Sequence, residues 1–285
     1  MREDVNISTF VIKITASDAD SGENGRLNFT ITSGNELDHF KIDLDTGNIY
    51  TNALLDFETT PSYTIRVKVE DKSYGNHTDV SIRLIDVNDN DPIFNPPQYY
   101  VSVSEDSGKD ELLQLNATDK DEFGGLTYTI LDGNTNSRFA LDPGNGKLRV
   151  AGELDRELSD SYNLTVRVTD SGAPERFDTA LVAIRITDVN DNAPRFDKTR
   201  VQVSVTENAP LGTRVHQAVA RDIDIGPNGR VSYEIINGNA DGLFKLENIS
   251  GVLTVNGIID RENEPSYRYV CFVSLFLLKI LCYTA

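Results

Sequence analysis

Asp188-Val189-Asn190-Asp191-Asn192 decides the reading, because the same five residues stand about a hundred positions earlier as Asp86-Val87-Asn88-Asp89-Asn90. Working outward from the two runs, an Asp-x-Glu after an apolar residue occurs as Asp56/Glu58, Asp155/Glu157 and Asp260/Glu262. An Asp-x-Asp occurs as Asp18/Asp20, Asp119/Asp121 and Asp222/Asp224, each preceded by a single Glu: Glu3, Glu105 and Glu207. Self-similarity at a fixed period is the mark of repeated domains. A lone Asp is explained by capping a turn or solvating a loop. Acidic elements that return in the same order and at the same spacing are not.

Between these elements the chain reads as short strands. Apolar and polar residues alternate in Leu27-x-Phe29-x-Ile31, in Tyr63-x-Ile65-x-Val67-x-Val69 and in Tyr162-x-Leu164-x-Val166-x-Val168, the period of a half-buried strand. Asp45-Thr46-Gly47, Asn145-Gly146 and Ser250-Gly251 read as tight turns in which Gly takes a positive φ. No amphipathic helix of useful length is visible. Some seven strands per hundred residues, with regular turn signals, predict an all-β chain of tandem seven-stranded Greek-key β-sandwiches, immunoglobulin-like, in an elongated array. The boundaries fall at 1–91 (first strand incomplete), 92–193 (complete), 194–270 (truncated at its C-terminal end) and 271–285, an apolar tail that departs from the pattern.

Composition agrees. The 285 residues carry 45 acidic and 27 basic side chains, a net charge of −18. Phosphate binding wants Lys and Arg, so nucleic acid is excluded as a partner. Cysteine is confined to Cys271 and Cys282 in the last stretch, so no disulfide framework holds the body. Sequons at Asn6, Asn28, Asn76, Asn116, Asn163 and Asn248 suggest a secreted glycoprotein, and no leader is visible in residues 1–20. The expectation is an extracellular fragment of a longer protein.

The Glu, Asp-x-Asp, Leu-Asp-Arg-Glu and Asp-x-Asn-Asp-Asn elements resemble the signature of cadherin extracellular repeats. The clearest are Val205-Thr206-Glu207-Asn208-Ala209-Pro210, Leu154-Asp155-Arg156-Glu157 and Asp188 through Pro194. There is no Trp, so the Trp-anchored strand exchange of short adhesive cadherins has no place here. The resemblance is rather to long, many-repeat cadherins of the Fat, Dachsous or protocadherin kind.

On the residues alone, a chain with three His and no Cys in its repeats offers an oxygen cage suited to calcium rather than to zinc or copper. The resemblance implies that the acids converge where successive repeats meet, and that three calcium ions bind there. Carried over by position, the first junction uses Glu3, Asp56 and Glu58 from the first repeat. Its linker supplies Asp86, Asn88 and Asp89 with main-chain oxygens of Val87 and Asn90, and the second repeat supplies Asp119, Asp121 and Asp170. The second junction uses Glu105, Asp155, Glu157, Asp188, Val189, Asn190, Asp191, Asn192, Asp222 and Asp224. Asp18, Asp20 and Asp71 would face a further repeat upstream, and Glu207, Asp260 and Glu262 one downstream.

Charge supplies the expected mechanism. Two like charges 4 Å apart repel by about 4 kcal/mol at an effective dielectric of 20, so cations would turn repelling repeats into a stiff rod. The resemblance implies calcium-dependent adhesion at the extracellular face of the plasma membrane, with other cadherin ectodomains, alike or different, as partners. Membrane attachment would lie in parts outside this chain. A soluble secreted calcium-binding fragment or decoy is the alternative. Enzyme chemistry is not expected, since a pair such as Asp155 and Glu157 recurs in every repeat with no nucleophile or cofactor motif beside it.

Three departures bear on these expectations. Phe57 stands where the second repeat has Arg156, a residue type that is not a metal ligand. Gly124 stands near a position where Asn commonly lends a main-chain oxygen. In the third repeat Leu275 occupies the place of Asp71 and Asp170, eight residues after the strand Tyr. The second junction thereby loses a carboxylate, and its outermost calcium is expected to bind more weakly. The run from Tyr269 to Tyr283, broken by Lys279, is shorter than the roughly 18–20 residues of a spanning helix. It reads as an anchor or as a truncated or mis-spliced end.

Overall fold

Alternation in sequence becomes alternation in burial. Along Ser161–Thr169 the apolar Leu164, Val166 and Val168 are fully buried while Ser161 and Asn163 face solvent. Ser62–Glu70 repeats the pattern with Tyr63, Ile65 and Val67 inward. The computed structural model describes residues 1–122, 125–264 and 266–275, and it is an all-β chain of three sandwiches in tandem. Among the described residues helix is confined to two short 3-10 turns, Gly22–Gly25 and Thr135–Ser137. None is long and apolar enough to cross a membrane.

The second repeat shows the topology most fully. One sheet runs Thr127–Asp132, Ser161–Thr169, Phe177–Thr187, Gln98–Ser104, its last pair parallel. The facing sheet runs Phe139–Leu141, Lys147–Val150, Glu111–Gln114. Sheet neighbours that are not chain neighbours are the crossovers of a Greek key. Fifteen buried residues from Phe94 to Ile186 fill the space between the sheets. The first repeat matches it with Asn28–Ser33, Ser62–Glu70 and Gly75–Arg83 against Phe10–Lys13, Asn48–Thr51 and Phe40–Ile42. In the third, Arg214–Gln217, Val252–Val255 and Phe244–Leu246 form one sheet, and Val231–Asn237 pairs with Val270–Leu275 in the other.

The turns behave as expected. Gly47, Gly146 and Gly251 take φ of +67°, +70° and +67°. An added Cβ would lie 2.4, 2.5 and 2.3 Å from the carbonyl oxygens of Ile14, Leu115 and Ala218, so Gly is required for space as well as for φ.

Residues 271–275, expected in the apolar tail because the repeat pattern breaks there, run within a strand: Tyr233 pairs with Val273 as Tyr128 pairs with Val168 and Phe29 with Val69. The physical reason is that apolar, partly β-branched residues opposite an existing strand gain ladder hydrogen bonds, whatever their resemblance to an anchor. The same register puts Leu275 where the second repeat has Asp170. The expectations about residues 276–285, including the absent last strand and Cys282, and about Gly124 lie outside the described residues.

Candidate metal centres at the repeat junctions

The first junction is assembled around Glu3, which is 3% exposed. Its carboxylate accepts from Val87 N at 2.8 Å through Oε1 and from Phe57 N through Oε2. One side chain thus ties the linker to the Asp56–Glu58 turn. Asp56 caps that turn, accepting from Thr59 N at 3.1 Å and Thr59 Oγ1 at 2.7 Å. The capping role allowed for a lone Asp is therefore real here, and Asp56 also lies in an acidic group. Ligand atoms of Glu3, Asp56 and Glu58 lie within 4.8 Å of one another, as do those of Glu58, Asp86 and Asp121.

From the other side, Asp121 is buried and orients the linker, accepting from Asn90 N at 3.0 Å and Asn90 Nδ2 at 2.7 Å. Asp121 N donates to Asp119 Oδ1 at 3.0 Å, folding the Asp-x-Asp into a compact pair of acceptors. Asp170 sits at the end of its strand and receives Asn88 Nδ2 at 3.1 Å, while the same amide reaches Pro174 O at 2.6 Å. Arg176, absent from the sequence reading, donates from Nε to Asn88 O at 3.0 Å and pairs with Asp91 at 2.8 Å. Asp89 is exposed.

Four oxygens in this junction are buried with no hydrogen-bond partner: Glu58 Oε1, Asp86 Oδ1, Asn88 Oδ1 and Asp119 Oδ2. Buried oxygens without a donor are costly, each by about 1–3 kcal/mol and more when charged. All four come from residues expected to be ligands. A hard divalent cation satisfies such oxygens together, so the donor set fits calcium. Burial, helped by Asp56, Glu3 and Asp89, pushes the Glu58 carboxyl up to about 7. Partial desolvation at the seam and the nearby Asp121 likewise raise Asp89, exposed though it is.

The second junction repeats the frame. Glu105, 6% exposed, accepts from Val189 N at 2.6 Å and Arg156 N at 2.7 Å. Asn192 Nδ2 reaches Asp224 at 2.8 Å, and Asp224 N donates to Asp222 Oδ1 at 3.0 Å. Asp155 caps its turn, accepting from Leu158 N at 2.9 Å. Glu105, Glu157 and Asp191 form one close group, and Glu157, Asp188 and Asp224 another. Partial desolvation raises the carboxyls of half-buried Glu157 and exposed Asp191, each with Glu105 as a contributing charge. Asn190 is half-buried here, with Leu275 in place of the Asp that anchors Asn88.

Two participants were not seen in the sequence. Asn228 Nδ2 donates to Asp188 Oδ2 at 3.0 Å, and Arg156 enters the cluster and binds both Asp188 and Glu157. An Asn six residues after Asp222 gives a usable signal, since Asn24 stands at the same distance after Asp18, while the second repeat has Gly124 and Gly125 near that position. Arg156 gives none, because nothing in a sequence says whether a long side chain turns to solvent or across a junction. At the outer ends, Asp18, Asp20 and Asp71 form a further close group, more exposed than the others. Glu207 Oε2 accepts from Arg261 N at 3.3 Å, placing it beside the turn that carries Asp260 and Glu262.

Tandem Greek-key sandwiches whose seams gather carboxylates from base, linker and top define a class of tandem-repeat β-sandwich protein. The family model described as the cadherin domain matches residues 1–87, 99–187 and 201–274, and the chain belongs to the cadherin family. It is 35% identical over 272 residues to protocadherin Fat 1 of Homo sapiens, covering 93% of this chain and 6% of that protein. To cadherin EGF LAG seven-pass G-type receptor 3 of Mus musculus it is 36% identical over 280 residues, 96% of this chain and 8% of the receptor. Against the crystal structure of mouse cadherin-23 EC22-24 the TM-score is 0.80 at 30% identity, covering 92% of this chain and 85% of the other. Against the protocadherin GammaB4 extracellular domain it is 0.83 at 31%, covering 96% and 44%. The chain thus spans only a small part of the curated relatives it matches.

Proposed function

We propose that this chain is a calcium-stiffened part of an adhesion ectodomain, its two junctions stiffer when loaded than when empty. At the first, Glu3, Asp56, Glu58, Asp86, Asn88, Asp89, Asp119, Asp121 and Asp170, with the carbonyls of Val87 and Asn90, hold the ions. At the second, Glu105, Asp155, Glu157, Asp188, Asn190, Asp191, Asp222 and Asp224, with Val189 and Asn192, do so. Calcium supplies positive charge and oxygen coordination. The protein's own contribution is to bring acids from two sandwiches and a linker to one place before any ion arrives.

The observation that carries this reading is the set of four partnerless buried oxygens at the first junction, all on expected ligands. Membership of the cadherin family supports adhesion through other cadherin ectodomains at the outer face of the plasma membrane, and no catalytic role is assigned to the paired carboxylates. Small-angle scattering in millimolar calcium and in chelator tests the stiffening. A longer, narrower particle in calcium is expected. Equal maximum dimensions in both, or no heat on calcium titration, would defeat it.

A further inference from the structure

The two junctions share a frame but not a charge balance. At the first, Glu58 Oε1 and Asp86 Oδ1 are two of the buried oxygens left without a donor. Their counterparts in the second repeat are Glu157 and Asp188. There Arg156 Nη2 donates to Glu157 Oε1 and Arg156 Nε to Asp188 Oδ1, on the two equivalent side chains. The guanidinium also reaches Ile223 O of the third repeat at 2.9 Å. Its side chain is 10% exposed, so this is an enclosed contact rather than a surface pair. The other oxygen of Asp188 is taken by Ile225 N at 3.1 Å and Asn228 Nδ2 at 3.0 Å.

At the first junction the equivalent side chain, Phe57, packs against the core of its own repeat and offers no charge to the seam. Arg176, the nearby cation there, is engaged with Asn88 O and Asp91. A planar fork binding carboxylates from two elements is what Arg does well and Phe cannot do.

We propose that Arg156 is a built-in counter-cation for the second junction, tying repeats two and three without metal and yielding its carboxylates to a divalent ion only by being displaced. The first junction has no cation on the equivalent carboxylates: Arg176 of the second repeat ties to the linker through Asn88 O and Asp91 and leaves Glu58 Oε1 and Asp86 Oδ1 without a donor. The second is therefore the firmer of the two in chelator and the weaker binder of calcium, so the rod loosens unevenly as calcium falls. The affinity half of this inference rests on the calcium reading above, whereas the metal-free tie does not.

Hydrogen exchange read by mass spectrometry on the whole chain separates the two halves, because it reports each linker independently. The variants Arg156→Phe and Phe57→Arg exchange residues that the sister repeats already accommodate, and circular dichroism confirms that each is folded. In chelator, Arg156→Phe is expected to speed exchange in peptides spanning 188–192 and 222–226 by about tenfold or more, leaving 86–90 unchanged. Phe57→Arg is expected to slow exchange at 86–90, and Arg156→Lys, which keeps charge but not the fork, to fall between. Titrated with calcium chloride, the wild-type second linker should become protected at higher calcium than the first, and Arg156→Phe should lower that midpoint. Unchanged exchange at 188–192 in chelator on Arg156→Phe, or no slowing at 86–90 on Phe57→Arg, overturns the tie. Calcium midpoints that Arg156→Phe does not lower overturn the displacement. Protection at neither linker in calcium would instead defeat the calcium reading and leave the chelator result to judge Arg156 by itself.

Discussion

Asn88 lies so close over Gly172 that a Cβ added there would fall 2.1 Å from the Asn88 Cγ. The amide cannot retreat without losing its bonds to Asp170 and Pro174 O. Gly172→Ala should therefore expel Asn88 from the first junction, costing about 1–3 kcal/mol of stability. Thermal unfolding would show a lowered Tm, and calcium titration a weakened first junction beside an unaltered second. Glu58 offers a second test at this scale. Burial and its acidic neighbours hold its carboxyl near 7 in the ion-free protein, above the 4.5 of an ordinary Glu. The folded state thus binds this proton more tightly than the unfolded chain, and the stability it brings is present at low pH and lost as pH rises through about 7. In chelator, lowering the pH from 8 to 6 should raise the Tm. In calcium the same change should weaken binding, because protons and ions compete for the same oxygens. Residues with a charge and a recurring position, such as Glu3 and Asp121, were legible in the sequence. Gly172 and Arg156 were not, since a close approach and a side chain crossing a seam depend on how two sandwiches meet.

At the scale of elements, the alternating strands and the Gly turns were readable because burial enforces period two and positive φ enforces Gly. The Val270–Leu275 strand was not, because a run of apolar residues does not alternate and shows its nature only through its partner, Val231–Asn237. The same element exposes how unequal the repeats are. Among the described residues the third core gathers Phe244, Val255 and Ile259 in its buried cluster, against fifteen residues in the second. Val201 and Val203 are 43% and 45% exposed in a stretch that forms no strand among the described residues, whereas Gln98–Ser104 pairs along Phe177–Thr187. Local opening follows buried contact and ladder hydrogen bonds. Amide exchange should therefore be fastest across 201–206 and 231–237 and slowest across 161–169 and 180–186, in calcium and in chelator alike. Equal protection of the third and second repeats would mean that the stability of this chain does not follow its cores.

At the scale of the whole molecule, a net charge of −18 is distributed unevenly, with its densest clusters at the two seams. The spacing of those clusters decides what salt can do. Monovalent salt screens over about 8 Å at 0.15 M and about 3 Å at 1 M. The grouped carboxylate oxygens lie within 4.8 Å of one another and are partly buried, inside the reach of physiological screening and away from mobile ions. Screening also supplies no ligand for Glu58 Oε1, Asp86 Oδ1 or Asp119 Oδ2, which want direct coordination. Repulsion between the bodies of the repeats should respond to sodium chloride, and repulsion within the seams should not. Chelated protein moved from 0.05 to 1 M sodium chloride is therefore expected to change its maximum dimension only slightly in scattering. Calcium at a few millimolar, adding negligible ionic strength, is expected to extend it fully. Recovery of the calcium-loaded dimension by sodium chloride alone would show that the seams are held by general charge neutralisation, and that the position of each carboxylate is incidental.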